Sequence, residues 1–238
     1  MLDKLIPLYT RIINTLMPWT CLLCGGHCTT DYAICLPCYQ SLPILSHACY
    51  RCAKELPNGQ TLCGACLIDP PPYFLTHALF PYDYPIGEMI IQLKFQHKLG
   101  HALALGKLMG RKIKEEWYVD ATLPDVILPV PLHVGRLKER GFNQAVEVAK
   151  YVAREIKVAV DIAGIERVKA TTAQSQLTVT AREVNLKDAF RVGRNYTGLH
   201  VAVLDDVMTT GNTVKVLSDA LVGAGARRVD IWCCARRL

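Results

Sequence analysis

Eight of the eleven cysteines fall into four Cys-x-x-Cys pairs, and this spacing constrains the fold more than any other feature. Ten residues separate each pair from the next, so two identical units stand in series. The eight residues are Cys21, Cys24, Cys35 and Cys38, then Cys49, Cys52, Cys63 and Cys66. Two Cys-x-x-Cys turns complete the tetrahedral thiolate site that structural zinc prefers. We therefore expect a small zinc-ribbon domain with two zinc ions.

The pairing of these four turns stays open at this level. Because all three gaps have the same length, a sequential and an interleaved arrangement close loops of equal size, and we favour the sequential one. His27 and Cys28 lie between the first two turns and could replace a ligand. Four thiolates leave no open coordination position, so we expect each zinc ion to be structural rather than catalytic.

The composition and the first residues of the chain limit the class of protein. The 238 residues are 51% hydrophobic and 20% charged, which excludes a disordered chain. Apolar runs such as 126–132 are far shorter than the ~20 residues that a membrane-spanning helix needs. The start carries Asp3, Lys4 and Arg11 and shows no secretory signal. We therefore expect a cytoplasmic protein without a membrane span, whose cysteines bind metal rather than form disulfides.

The net charge of +6 is unevenly distributed along the chain. Residues 1–70 contain four basic and four acidic side chains, so the whole excess lies in residues 71–238. Thiolates bound to zinc would reduce the total further. The overall charge is therefore a weak argument for nucleic-acid binding, which only a local basic patch could support.

A proline run divides the chain. The segment 69–72, Asp-Pro-Pro-Pro, is typical of a stiff linker, since consecutive prolines favour an extended conformation. We place a domain boundary there, with a helix over 2–17 and the double zinc ribbon in residues 1–70. In residues 71–238 apolar strands alternate with helices, which predicts an α/β fold with a parallel sheet flanked by helices.

The elements predicted for residues 71–238 follow the apolar pattern. Strands are predicted over 74–82, 125–132, 201–205 and 229–234. Helices are predicted over 86–95, 102–117, 144–156 and 213–221. The polar stretch 171–182 has no period and is typical of a mobile loop.

One stretch carries the most specific chemistry. Residues 201–213 combine an apolar strand, two carboxylates at its carboxyl end, a hydroxyl-rich turn and the start of a helix. The amides and the dipole at a helix start attract an anion, and threonine hydroxyls add donors. Carboxylates repel phosphate, so they should face a neutral group with hydroxyls, such as a ribose. The stretch predicts a ribose-phosphate site at the strand ends of the sheet, although each residue alone could serve as a helix cap.

This stretch resembles the phosphoribosyl pyrophosphate signature of the type I phosphoribosyltransferases. The resemblance covers nearly the whole chain and is to the ComF family of competence proteins, which are linked to DNA uptake during natural transformation. It rests on the double Cys-x-x-Cys ribbon, Leu93-Lys94-Phe95, Pro129-Val130-Pro131-Leu132, Arg136 with Arg140-Gly141-Phe142-Asn143-Gln144, Gln174 with Arg182, and residues 201–213. It implies a type I phosphoribosyltransferase-like parallel sheet preceded by the cysteine-rich zinc ribbon.

The resemblance also implies which residues bind phosphoribosyl pyrophosphate. Asp205 and Asp206 should hold the ribose 2′ and 3′ hydroxyls. The 5′-phosphate should lie against five loop residues, Thr209, Thr210, Gly211, Asn212 and Thr213. The pyrophosphate should lie against the backbone of Val130, Pro131 and Leu132. In that fold this last loop often carries a non-proline cis peptide. Residues 171–182 match the place of a flexible loop that closes over the site in relatives, where Mg²⁺ neutralises the leaving group.

Basic side chains near these motifs have no direct assignment. Arg140 could reach the pyrophosphate, because a planar guanidinium pairs well with oxyanions. Lys94 and Arg136, like Arg140 itself, could equally be solvated surface charges. A local basic cluster could face phosphates or DNA, although helix faces of this kind are mostly just solvated; it consists of Lys94, His97, Lys98 and His101.

Three functions are compatible with these residues. We favour a competence protein that binds phosphoribosyl pyrophosphate and handles incoming DNA, with single-stranded DNA and a helicase-like ATPase as the partners that the resemblance suggests. The alternatives are a phosphoribosyltransferase of nucleotide salvage and a non-catalytic adaptor for DNA or protein. Residues 74–118 could form the hood that binds an acceptor base, but they show no base-specific pattern. The sequence therefore supports ligand binding better than catalysis.

Overall fold

The computed structural model describes residues 19–57, 59–169 and 189–237, so the predicted helix over 2–17 and the predicted loop over 171–182 lie outside the described residues. The strands are β1 Trp19–Thr20, β2 His27–Cys28, β3 Leu75–Pro81, β4 Val126–Pro129, β5 Ala159–Val160, β6 Ile165–Arg167, β7 Phe190–Val192, β8 His200–Met208 and β9 Arg228–Arg236. The α-helices are α1 Leu36–Gln40, α2 Gly64–Ile68, α3 Ile86–Gln96, α4 Gly100–Lys112, α5 Val134–Arg140, α6 Gln144–Ile156 and α7 Asn212–Gly223, and α4 continues as a π-helix over Ile113–Trp117. In these ranges no helix combines the length and the apolar character that crossing a membrane requires.

Five strands form one parallel sheet in the order β3-β9-β8-β4-β5. The strand β8 pairs with β9 on one side and β4 on the other, so that Val203 lies opposite both Ile231 and Leu128. Both faces of these strands are covered, which is why their side chains are buried almost throughout instead of alternating. The structure confirms the predicted parallel α/β sheet with flanking helices.

The two faces of the sheet carry different helices. On one face Ala202 lies in an apolar cluster with Leu105 of α4 and Val148 of α6. On the other face Val203 lies in a cluster with Leu217 of α7. Because the chain passes from β4 to α6 and from β8 to α7, two neighbouring strands send it to opposite faces. Such an arrangement opens a crevice at the carboxyl ends of the two strands, where ligands bind in open α/β sheets.

Helices α4 and α6 cross at close range because α4 carries glycines on the contact face. A β-carbon on Gly106 would lie 2.6 Å from Cβ of Tyr151, and one on Gly110 would lie 2.5 Å from Cβ of Glu155. Neither position accommodates a larger side chain unless the helices separate. The two glycines therefore set the position of α6, whose first residue reaches the crevice.

The cysteine-rich region is attached to the sheet in two ways. Its first half contains Cys21 to Cys38, and its second half contains Cys49 to Cys66. Ile34 and Leu42 of the first half are buried in the same apolar cluster as Phe80 of β3. Its second half is attached by hydrogen bonds: Thr76 of β3 donates from Oγ1 to the carbonyl of Arg51 at 2.6 Å. A continuous apolar core thus includes the first half of this region, while the second half is held by directional contacts and by Cys52, which packs against the apolar cluster on the other face of the sheet.

Some element boundaries differ from the predicted ones. β8 extends to Met208, so Asp205 and Asp206 lie within the strand and not at its end. β4 ends at Pro129, so residues 130–132 follow the strand and are not part of it. α5 and the strands β5, β6 and β7 have no counterpart in the prediction, because segments of two to seven residues are too short to show a hydrophobic period.

Candidate functional site

The sulfur atoms of the paired cysteines form two clusters. The first cluster contains Cys21, Cys24, Cys35 and Cys38, and the second contains Cys49, Cys52, Cys63 and Cys66. Within each cluster the sulfur atoms lie within 4.8 Å of one another. The grouping is sequential, as favoured from the spacing. Cys28 belongs to neither cluster, and its thiol lies 3.1 Å from the hydroxyl of Thr30.

The two clusters are built on the same local backbone. The N–H of Gly25 donates to the carbonyl of Cys21 at 2.9 Å, and the N–H of Ala53 donates to the carbonyl of Cys49 at 2.8 Å. Both donors have a positive φ, 73° at Gly25 and 53° at Ala53, and this conformation closes the tight turn. The second Cys-x-x-Cys pair of each cluster spans the start of a short helix, α1 or α2.

Backbone amides stabilise one thiolate in each cluster. The N–H of Cys35 donates to Sγ of Cys21 at 3.4 Å, and that of Cys63 to Sγ of Cys49 at 3.3 Å. Burial would raise the pKa of both acceptors, but the amides lower the pKa of Cys21 to about 6 and that of Cys49 to about 7. Hydrogen bonds with Cys35 and other sulfurs raise the pKa of Cys38 to about 12. These opposite pKa shifts arise because neighbouring sulfurs oppose one another's negative charge. A bound dication would compensate that charge, so both clusters fit structural zinc.

Two carboxylates lie side by side near the carboxyl end of β8. The N–H of Asp206 donates to Oδ1 of Asp205 at 2.9 Å, and Asp206 is only 3% exposed. Burial and the neighbouring Asp206 carboxylate raise the pKa of Asp205 to about 8. Burial acts in the same direction on Asp206, but the charge of Lys94 keeps the pKa of Asp206 below its usual value. Lys94 therefore favours ionisation at Asp206, whereas burial and the neighbouring carboxylate oppose it at Asp205.

Side chains from three helices form a series of contacts that ends at Asp206. Lys94, in the last turn of α3, forms an ion pair with Oδ2 of Asp206. Gln144, the first residue of α6, donates from Nε2 to Oδ1 at 3.2 Å. Arg140, the last residue of α5, donates to Oε1 of Gln144 at 2.6 Å. These contacts connect α3, α5 and α6 to β8 and place two cationic side chains at the crevice.

The segment 209–213 consists of an open turn between β8 and α7, residues 209–211, and the first two residues of that helix. Gly211 has a φ of 82°, and a β-carbon there would lie 2.7 Å from Cε of Met208, so a larger residue would strain the turn. The N–H groups of Thr209, Thr210 and Gly211 have no acceptor among the described residues. Unpaired amides beside the start of a helix form an anion site, since the helix dipole adds partial positive charge.

Arg236, the last residue of β9, contacts this turn from the protein interior. Its Nη1 donates to the carbonyls of Met208 at 3.0 Å and of Thr209. Its Nε donates to the carbonyl of Cys52 at 2.8 Å. The side chain belongs to a residue that is 7% exposed, so a buried guanidinium links the turn to the second cysteine cluster.

The segment 130–132 lines the β4 side of the crevice. The N–H of Val130 donates to the carbonyl of Leu204 on β8 at 2.8 Å. Asn143 donates from Nδ2 to the carbonyl of Val130 at 2.9 Å, and its Oδ1 caps the start of α6. The peptide bonds of this segment are trans, so it lacks the non-proline cis peptide that the resemblance implies.

The structure divides the predicted basic cluster of Lys94, His97, Lys98 and His101. Lys98 donates to Oε1 of Gln92, and Nε2 of His101 contacts the same atom, each at 3.0 Å. Nε2 of His97 lies 2.9 Å from the carbonyl of Arg140. The lysine of α3 is therefore the member of the cluster that reaches the carboxylates of β8.

The candidate site residues converge at one edge of the sheet. They are Asp205, Asp206, the turn 209–213, the segment 130–132 and Arg140. The structure adds two residues that have no predicted role, Gln144 and Arg236. Gln144 stands within a motif quoted for the resemblance, whereas Arg236 stands outside every motif and would pass for a surface charge.

Two family profiles match the chain. One describes a double zinc ribbon domain and matches residues 12–67, and the other describes a phosphoribosyl transferase domain and matches residues 143–238. Among solved structures, a purine phosphoribosyltransferase from Pyrococcus horikoshii is 15% identical, with a TM-score of 0.35. The similarity covers 57% of this chain and 73% of that one.

Curated relatives match over almost the full length of the chain. The DNA utilization protein YhgH of Salmonella typhimurium is 34% identical over 224 residues, which cover 93% of this chain and 99% of that protein. Competence protein F of Haemophilus influenzae is 29% identical over 221 residues, which cover 91% and 96%. With its double zinc ribbon and its phosphoribosyl transferase domain, the chain belongs to the ComF family.

Proposed function

We propose that this chain binds phosphoribosyl pyrophosphate in the crevice between β4 and β8, and that this binding serves the handling of incoming DNA. The observation that carries the proposal is the position of the turn 209–213. Its unpaired amides lie at the start of α7, and the first of them follows Asp206 by three residues. One site thus combines donors for a phosphate with acceptors for a sugar diol. Relatives named for DNA utilization and for competence support the biological role.

Each part of this ligand has a matching group in the crevice. The turn 209–213 would hold the 5′-phosphate through its amides and hydroxyls. Asp205, which is partly exposed, would accept hydrogen bonds from the ribose hydroxyls. Asp206 would join it when Lys94, now paired with it, turns toward the phosphates of the ligand. The ion pair with Lys94 satisfies this carboxylate in the structure.

The pyrophosphate end would lie against the segment 130–132. Its charge would be met by Arg140 and by Lys94, and Mg²⁺ bound with the ligand would neutralise the remainder. Transfer of the ribose would break the bond between the anomeric carbon and pyrophosphate and form a bond to an acceptor nucleophile. Binding does not depend on such a transfer, and the proposal concerns binding.

Calorimetric titration of phosphoribosyl pyrophosphate, with and without Mg²⁺, tests the proposal. We expect binding that needs Mg²⁺ and is lost in the double variant Asp205→Asn/Asp206→Asn. Asp219→Asn makes the same kind of change on the exposed face of α7 and should bind like the wild type. If folded, zinc-loaded wild-type protein does not bind, the proposal is wrong and a non-catalytic adaptor is favoured.

A second candidate function is contact with single-stranded DNA beside the crevice. Phe95 is 67% exposed, and the guanidinium of Arg140 lies 5.3 Å from the centre of its ring. The rings of His97 and Phe142 lie nearby, 5.5 Å apart. Bases stack on exposed rings while cations contact the phosphates, so this surface suits a single strand.

Fluorescence titration of a labelled oligonucleotide at several salt concentrations tests this second function. We expect affinity that falls steeply with salt, because cations on the DNA are released on binding. Phe95→Ala should weaken binding by removing the stacking ring, whereas Phe74→Ala removes an exposed ring elsewhere and should not. Absence of binding at low salt would reject this candidate.

A further inference from the structure

Arg236 connects two parts of the molecule that are far apart in sequence. Its guanidinium donates to the carbonyls of Met208, the last residue of β8, and of Thr209, the first residue of the turn 209–213. It also donates to the carbonyl of Cys52, a member of the second cysteine cluster. All of these acceptors are backbone atoms, so the contact fixes backbone orientation and not merely side-chain position. Hydrogen bonds from a charged donor are also stronger than those between neutral groups.

Fixing these carbonyls also fixes the amides that face the ligand. In a planar trans peptide the C=O and the following N–H point in opposite directions. When Arg236 holds the carbonyl of Met208 toward the interior, the N–H of Thr209 points away from it. The carbonyl of Thr209 orients the N–H of Thr210 in the same way. The carbonyl of Met208 also accepts from the N–H of Arg237 at 3.0 Å. Arg236 therefore shares the orientation of the first of these unpaired amides and sets that of the second.

Two further residues beside the second cluster lie near the turn or the start of α7. Tyr73 is 3% exposed, and its hydroxyl would lie 3.7 Å from a β-carbon on Gly211. The side chain of Lys215, in the first turn of α7, lies 3.2 Å from the carboxylate of Asp69, just beyond the second cluster. The chain that follows the second cluster thus approaches both the turn and the start of α7.

The first cysteine cluster has no such connection. Its surroundings contact α4 through Asp31, which pairs with Lys107 at 2.7 Å and with Arg111 at 2.6 Å. In the described ranges, no hydrogen bond or ion pair joins residues 19–42 to the turn 209–213. The two clusters therefore differ in their relation to the crevice although their local geometry is the same.

We propose that the second cysteine cluster, with zinc bound, acts through Arg236 to hold the turn 209–213 in its anion-binding form. Loss of zinc from this cluster then weakens ligand binding, while loss of zinc from the first cluster does not. This inference rests on the proposed function, since the ligand is phosphoribosyl pyrophosphate. Arg236 is a positioning residue in this account, because it acts on the ligand through the backbone of the turn.

A matched pair of ligand variants tests the difference between the clusters. Cys49→Ser and Cys21→Ser remove equivalent ligands from the second and the first cluster. We expect each variant to lose one zinc ion by metal analysis. Only Cys49→Ser should lower the ¹⁵N order parameters of residues 209–213 and weaken the binding of phosphoribosyl pyrophosphate, by about tenfold or more.

A second pair of variants leaves both zinc sites intact. Arg236→Met removes the link, and Arg237→Met changes the exposed neighbouring side chain as a control. We expect Arg236→Met to reduce order in residues 209–213 and to weaken binding by about tenfold or more, while Arg236→Lys, which keeps the charge but not the planar fork, recovers part of the loss.

The outcomes separate this inference from the proposed function. If the wild type binds phosphoribosyl pyrophosphate and Arg236→Met binds it equally well with an equally ordered turn, the inference is wrong and the proposed function stands. If the wild type does not bind, the proposed function fails. The order parameters of the ligand-free proteins then still decide whether Arg236 holds the turn.

Discussion

The two halves of the cysteine-rich region have the same spacing and the same local backbone, but different forces attach them to the sheet. The first half buries Ile34 and Leu42 in the large apolar cluster beneath α4. The second half is attached through Thr76 and Arg236, which donate hydrogen bonds to backbone carbonyls of Arg51 and Cys52. The sequence repeat thus predicts the local fold of each half. The contacts that each half makes with the sheet determine its effect on the crevice.

This difference has a physical consequence for the crevice. Apolar burial is strong but not directional, so it stabilises the first half without fixing the orientation of any backbone group. Hydrogen bonds to carbonyls are directional, and they suit a contact that must orient the turn 209–213. Loss of the second half's contacts should therefore weaken ligand binding.

Removal of zinc from both clusters should cause the largest loss of stability. Structural zinc contributes about 10 kcal/mol or more to the folding of small zinc domains, so a chelator should lower the melting temperature. We expect amide exchange in residues 59–69 to increase before that in residues 27–42, because the apolar cluster retains the first half after its zinc is lost. Mass spectrometry of the exchange measures the order, and the reverse order would contradict the comparison.

Truncation of the apolar contact should come next in size. Ile34 is fully buried, so Ile34→Ala should cost about 2–5 kcal/mol of unfolding free energy, measured by urea denaturation. Ile44 is 71% exposed, and Ile44→Ala should change stability by less than about 0.5 kcal/mol. Affinity for phosphoribosyl pyrophosphate should stay the same in both. A weaker affinity in Ile34→Ala would show that the first half also acts on the crevice.

Loss of one directional contact should have a smaller effect on stability. Thr76→Val keeps the shape of a buried side chain but leaves the carbonyl of Arg51 without this donor, at a cost of about 1–3 kcal/mol. Thr122 is exposed, and Thr122→Val serves as the control. Increased amide exchange confined to residues near 49–56 would support the account, and unchanged exchange and stability would argue against it.

The surface ion pairs of the first half should contribute least. Asp31 is half exposed, so Asp31→Asn should cost less than about 1 kcal/mol, and less still at high salt. Burial opposes ionisation of Asp31, but Lys107 and Arg111 hold the pKa of this carboxyl below its ordinary value of 3.8. The advantage of the wild type over Asp31→Asn should be complete above that value and vanish as pH falls through the lower folded pKa. Thermal melts at several pH values check this.

The fold could be predicted where a local pattern determines it. Hydrophobic periodicity places helix α6 over 144–156 with both ends correct, since apolar side chains recur along one face. The prediction ended β8 too early at Asp205, because two carboxylates in a buried strand contradict the local pattern. Lys94 and Gln144 satisfy one of them from distant helices, and such compensation has no signature in the strand itself.

The candidate site could be predicted only in part. The cysteine clusters follow from spacing alone, because a Cys-x-x-Cys turn determines the positions of its own sulfurs. Arg236 could not be predicted, since its partner Cys52 lies 184 residues away in sequence. Local sequence identifies groups that bind a ligand directly, whereas the residues that orient them depend on how separate parts of the chain pack together.

Amide exchange of Thr209, Thr210 and Gly211, resolved by NMR, tests the central claim most directly. In the free protein these amides have no acceptor among the described residues and should exchange rapidly. Phosphoribosyl pyrophosphate with Mg²⁺ should slow their exchange in the wild type but not in Asp205→Asn/Asp206→Asn. Unchanged exchange in the wild type at saturating ligand would contradict the account, because the turn would then not be the phosphate site.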